Sequence, residues 1–153
     1  MKKLIVFLGF LSLVIIFNQQ RALAQIRQLP TAVKEAFEKK YADAKEVDYD
    51  DKIIYVQARF TTADNKQCTA RFTSKGVWQF TETDMKFEEL PAPVQDGFNK
   101  SKYADWQVDH VYLVNLPDDQ TQYKIQAEKT AVQKRNLYFS TKGRLRSDNI
   151  TMY

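Results

Sequence analysis

An internal duplication limits what this chain can fold into more than any other feature. Leu29-Pro30-x-x-Val33-x-x-x-Phe37 recurs as Leu90-Pro91-x-x-Val94-x-x-x-Phe98, an offset of 90 − 29 = 61 residues. Lys40-Tyr41-Ala42-Asp43 returns as Lys102-Tyr103-Ala104-Asp105, and Val56-Gln57-Ala58 as Ile125-Gln126-Ala127. Arg71-Phe72-Thr73-Ser74-Lys75-Gly76 returns as Tyr138-Phe139-Ser140-Thr141-Lys142-Gly143. The matches keep their order, which marks one unit repeated in tandem with small loop insertions. The expected division is a first repeat over residues 25–89 and a second over 90–153.

Each unit opens with a helix. Pro is tolerated in a first helical turn, and Val33, Phe37, Tyr41 and Ala44 recur every three to four residues. The second copy keeps Val94 and Phe98 but contains Gly97, so its helix should be shorter or weaker. The period then changes to two, the strand signature. Ile54, Val56, Ala58 and Phe60 alternate with Tyr55, Gln57 and Arg59, and Cys68, Ala70 and Phe72 with Thr69, Arg71 and Thr73. Ser74-Lys75-Gly76 leads into a hairpin partner over 77–83. The second unit is expected to hold strands over 106–116, 122–130, 134–140 and 144–153. Short loops between successive strands imply antiparallel meanders. The only apolar cover for such a sheet is the helix of each unit, so the expected fold is α+β, with helices packed on one face of a single antiparallel sheet.

The N-terminus reads as an export signal over residues 1–24. Lys2 and Lys3 precede an apolar run from Leu4 to Phe17, and Ala22-Leu23-Ala24 supplies small residues for cleavage before Gln25. The run is shorter than the roughly 20 residues a spanning helix needs. The leader takes three cations with it, leaving 23 − 3 = 20 basic against 19 acidic residues. The exported chain is therefore close to neutral, and its composition gives no reason to expect a nucleic-acid partner or a stable membrane span after cleavage. Cys68 is the one cysteine, so no intramolecular disulfide is available, and its alternating strand setting favours a buried thiol.

Catalytic and metal signatures are sparse in this sequence. His110 is the only histidine, lies within a strand-like alternation and has no accompanying nucleophile motif. Asp48, Asp50 and Asp51 lack the Gly and distal Glu of a calcium loop and read, like Asp118 and Asp119, as solvated turns. One Cys and one His do not make a zinc site. Gly76 and Gly143 occupy equivalent hairpin turns, where positive φ is the simplest requirement. The expectation is a protein without cofactor and without enzymatic activity.

The Leu-Pro-x-x-Val-x-x-x-Phe helix start, the meander behind it and the duplication after an export signal together resemble the PepSY-like family of periplasmic proteins. The resemblance covers about residues 29 to 153. It implies an architecture similar to the β-lactamase-inhibitor protein, with two α/β repeats forming one sheet. It also implies, by analogy, that the open sheet face binds a partner protein and that the protein is periplasmic or secreted; fold alone does not fix function.

With Ile54, Val56, Ala58 and Phe60 turned towards the helices, Tyr55, Gln57 and Arg59 would face outward, joined by Thr69, Arg71, Val77 and Gln79. Tyr123, Gln126, Tyr138, Arg144 and Tyr112 would join them from the second unit. Tyr and Arg among small polar residues is the composition of recognition surfaces. The same residues suit an ordinary solvated sheet face, because aromatic residues favour strands. The expected activity is binding, with restraint of an envelope enzyme as one form of it. The alternative is capture of a small molecule or cell-wall fragment at the junction between repeats.

Overall fold

The structure is a computed structural model and describes residues 28–150. The expected export signal over 1–24 and the end of the last expected strand, 151–153, lie outside the described residues. The chain runs α1 (Thr31–Lys40), β1 (Lys45–Asp51), β2 (Tyr55–Thr61), β3 (Gln67–Thr73) and β4 (Trp78–Met85). A 3₁₀ turn over Phe87–Glu89 leads to α2 (Ala92–Asn99), β5 (Gln107–Asn115), β6 (Thr121–Thr130), β7 (Gln133–Ser140) and β8 (Leu145–Ile150). All eight strands form one antiparallel sheet in chain order. Each unit thus supplies one helix and four strands.

Two core clusters lie under the two helices. Val33 and Phe37 of α1 pack on Val56, Ala58, Phe60, Ala70 and Phe72, and Val94 and Phe98 of α2 on Val111, Ile125, Ala127, Leu137 and Phe139. Phe72 and Phe139 are both fully buried, in equivalent places. Phe37 meets Phe72 with ring centroids 6.3 Å apart, and Phe98 meets Phe139 at 6.5 Å. Burying each such ring is worth roughly 1.5–3 kcal/mol, so the aromatic pairs tie each helix to its own meander.

The hairpin glycines set how closely the helices dock. Gly76 and Gly143 have φ of 81° and 76° and lie against the backbone of Ala32 and Pro93, at the start of α1 and α2. A Cβ on Gly143 would stand 1.8 Å from the Pro93 carbonyl oxygen. Gly97 faces this same turn from within α2, which has 8 residues against 10 in α1. The glycine that weakens the second helix is the residue that lets it approach.

Two expectations change. The acidic stretch at Asp48, Asp50 and Asp51 is not a turn but part of edge strand β1, pairing Asp48 with Arg59 and Asp50 with Gln57. Charged residues suit an edge strand, and Tyr49 provides the inward contact. Ile54 does not face the helices; it is 75% exposed in the β1–β2 turn, after Ile53 at φ 72°.

Candidate protein-binding face

Cross-strand pairing fixes which side chains share the face opposite the helices. Core residues pair with one another, as Val56 with Phe72 and Ile125 with Leu137, so their sequence neighbours point the other way. Tyr55, Gln57 and Arg59 of β2, Arg71 of β3 and Tyr138 of β7 all lie on this open face. Gln79 occupies a β-bulge between the Arg71–Phe80 and Phe72–Trp78 pairs. Gln126 lies on the open face, paired with His110.

Three expected members of the face lie elsewhere. Tyr123 pairs with Phe139 and Leu113 and packs on the second core, which puts it on the helix side. Arg144 is exposed in the turn before β8, where its N–H donates to Ser140 Oγ at 3.2 Å and its carbonyl accepts from the Ser140 N–H at 2.9 Å. Val77 is likewise in a turn, 61% exposed.

Tyr112 lies on the face as expected, and the structure adds Phe80, Glu82 and Lys124 to its middle. Lys124 Nζ lies 2.8 Å from both carboxylate oxygens of Glu82, and the two side chains are only 9% and 14% exposed. The same ammonium sits 4.2 Å from the Tyr112 ring centroid. Burial, with the nearby Asp84 and Glu82 carboxylates, pushes the Tyr112 hydroxyl up to about 12. Burial raises Tyr138 as well; Glu82 adds to the shift and Arg71 opposes it. The Arg71 guanidinium stacks 3.6 Å from the Tyr55 centroid and 5.7 Å from that of Phe80.

A cavity of about 270 Å³ opens on this face between Phe80, Glu82, Val114, Gln122, Tyr138 and Ser147. Its walls come from β4 through β8. In a flat sheet those outer strands would stand about 19 Å apart, at roughly 4.8 Å per strand. Residues of all five strands close on this one cavity, so the open face is concave there. Two polar atoms buried on this face, Arg71 Nε and Asn136 Oδ1, have no hydrogen-bond partner among the described residues, nor has Gln79 Oε1 at the bulge.

On the helix side, a second cavity of about 410 Å³ lies at the junction of the repeats. Tyr41, Trp78 and Thr81 of the first unit line it, with Asn115, Asp118 and Asp119 of the second. Lys40 Nζ lies 3.7 Å over the Trp78 ring, and Trp78 Nε1 donates to Thr81 Oγ1 at 2.9 Å. Cys68 borders this cavity, buried, with its sulfur 3.3 Å from Thr83 Oγ1 and its thiol raised by burial. Among the described residues no group of three or more His, Cys, Asp or Glu is placed to hold a metal ion.

Among the described residues, two helices on one side of an eight-stranded antiparallel sheet, with a hollowed polar and aromatic face on the other, define a β-lactamase-inhibitor-like architecture. The family model described as "Putative beta-lactamase-inhibitor-like, PepSY-like" matches residues 16–59 and 54–147, and the chain belongs to this family. A DUF2874 family protein from Bacteroides ovatus is similar in structure, with a TM-score of 0.70 at 27% identity over 80% of this chain and 88% of that one. A BLIP-like protein from Bacteroides fragilis gives a TM-score of 0.71 at 26% identity over 84% of this chain and 91% of its own. A protein from Bacteroides eggerthii described as "putative periplasmic" gives 0.70 at 27% identity over 80% and 89%. A search of curated proteins finds no match. No helix among the described residues is long and apolar enough to cross a membrane.

Proposed function

We propose that this protein is a non-catalytic exported binding protein, periplasmic in location, whose concave face grips another protein or peptide of the cell envelope. The observation that carries this reading is the Lys124–Glu82 pair, withdrawn from water at the centre of a face that no helix among the described residues covers. Removing two charges from water is costly, and a fold gains little stability from such a pair. Anchors of this kind earn their place in recognition, where desolvated charges and aromatic rings fix a partner's register. The Arg71 guanidinium, stacked on Tyr55 and without an ion pair among the described residues, is a further group that a bound polypeptide would engage. Restraint of an envelope enzyme is the form of binding that the inhibitor-like fold favours.

Photo-crosslinking in intact cells tests the reading. A photoreactive residue replacing Phe80 should give an adduct with one envelope protein, while the same residue replacing exposed Glu35 on α1 should not. Equal labelling from both positions would contradict the proposal.

The junction cavity supports a second reading, capture of a small molecule or cell-wall fragment. Trp78 and Tyr41 offer rings, and Thr81, Asp118 and Asp119 offer polar atoms around it. Trp78 fluorescence titrated with peptidoglycan fragments would change under this reading and stay constant if the cavity takes no such ligand.

A further inference from the structure

Charges on the concave face are almost all matched within the fold. Arg59 Nη2 lies 2.5 Å from Asp48, Lys124 holds both oxygens of Glu82, and Lys134 Nζ lies 2.7 Å from Glu128. Arg71 is different. Its guanidinium contacts two rings, Tyr55 and Phe80, makes no ion pair among the described residues, and leaves Nε buried without an acceptor. Stacking of this kind engages the plane of the guanidinium and leaves its N–H donors without a carboxylate partner among the described residues.

The cavity begins beside it. Phe80, the cross-strand partner of Arg71, lines that cavity, and so does Tyr138, whose hydroxyl feels the Arg71 charge from β7. Glu82 also lines it, but with both oxygens bound to Lys124 it adds no net charge there. Asp84 stands further along β4, with His110 and Lys124 as its charged neighbours. A positive fork held on aromatic rings at the rim of a mixed apolar and polar cavity is complementary to a carboxylate with an apolar neighbour.

We infer that Arg71 reads a carboxylate of the partner: an Asp or Glu side chain on a partner loop meets the guanidinium edge, and an adjoining apolar side chain enters the cavity beside Phe80 and Tyr138. This rests on the reading of the concave face as a protein-binding face and names the chemistry it selects.

Selection of a displayed library of cyclic random peptides on the purified protein tests the inference. The expected consensus places Asp or Glu next to Leu, Phe or another large apolar residue. Replacing that acidic residue by its amide, or Arg71→Gln in the protein, should each weaken binding about tenfold or more, and the two changes together should cost little beyond either alone. Arg71→Lys keeps the charge but loses the fork, and should still weaken binding several-fold. Near-UV circular dichroism establishes that each variant is folded, and the peptide substitutions test the pair without altering the protein at all. Peptides that lose affinity on Tyr138→Ala but show no acidic consensus and no response to Arg71→Gln would overturn the carboxylate inference while leaving the concave face as a binding surface. Peptides indifferent to Tyr138→Ala, Phe80→Ala and Arg71→Gln alike, or no binders at all, would overturn both.

Discussion

A Cβ built on Gly97 would stand 2.0 Å from the carbonyl oxygen of Gly143, so the second helix and the last hairpin meet backbone against backbone. Neither side can yield by rotating a side chain. Gly97→Ala gains up to about 1 kcal/mol of helix propensity, but relieving the overlap requires a backbone shift of the kind that costs about 1–3 kcal/mol. The variant should be less stable than the native protein in urea denaturation. A midpoint at or above the native one would show that the helix does not dock in this way.

The two central phenylalanines should behave as a matched pair. Phe72→Ala and Phe139→Ala each open a cavity beneath a helix in a fully buried site, at a cost of roughly 3–5 kcal/mol. Chemical denaturation giving a loss under about 1 kcal/mol at either position would contradict the shared register of the two units.

The fold depends less on having the Lys124–Glu82 pair than on keeping it whole. Lys124→Met strands a carboxylate that is 14% exposed, and should cost about 3 kcal/mol. Adding Glu82→Leu should recover most of that loss, since a matched apolar pair is often as stable as a buried ionic one. A double-mutant cycle in urea measures the coupling; additive losses would show that the two groups do not depend on each other.

Asp148 links stability to pH. The Tyr103 hydroxyl donates to its carboxylate and Lys102 Nζ lies 3.0 Å away, which together hold the carboxyl below its ordinary value of 3.8. A carboxylate depressed in the folded state stabilises the fold above its unfolded pKa and loses that contribution as pH falls through the folded value. Thermal midpoints should therefore fall on acidification below about pH 4, and Asp148→Asn should lower the neutral-pH midpoint and flatten that acid limb. Parallel curves for the two proteins would contradict the linkage.

Much of this architecture is written in local pattern. The duplicated Leu-Pro-x-x-Val-x-x-x-Phe start locates both helices, and the two Ser/Thr-Lys-Gly turns locate both hairpins that receive them. Strand β1 escapes such reading because an edge strand needs only one inward contact, here Tyr49, and so shows no apolar alternation. Tyr123 has the same parity as Ile125 and Ala127, so a strict period of two already turns it inward; grouping it with Gln126 mixes the two faces. Gln79 cannot be placed by parity at all, because the bulge between Arg71 and Phe72 shifts the count. The Lys124–Glu82 contact joins residues on different repeats and follows only from the pairing of β4, β5 and β6, which no local signal specifies.

The central claim is that the concave face grips a protein partner, and capture of envelope proteins on the immobilised protein tests it most directly. Three surfaces are needed: the native protein, a folded Tyr55→Ala, Arg71→Ala, Tyr138→Ala variant, and a helix-side control carrying Lys34→Ala and Glu38→Ala on the exposed face of α1. A protein retained by the native and control surfaces and lost from the triple variant is the predicted result. Equal retention on all three, or loss on the control alone, would contradict the account.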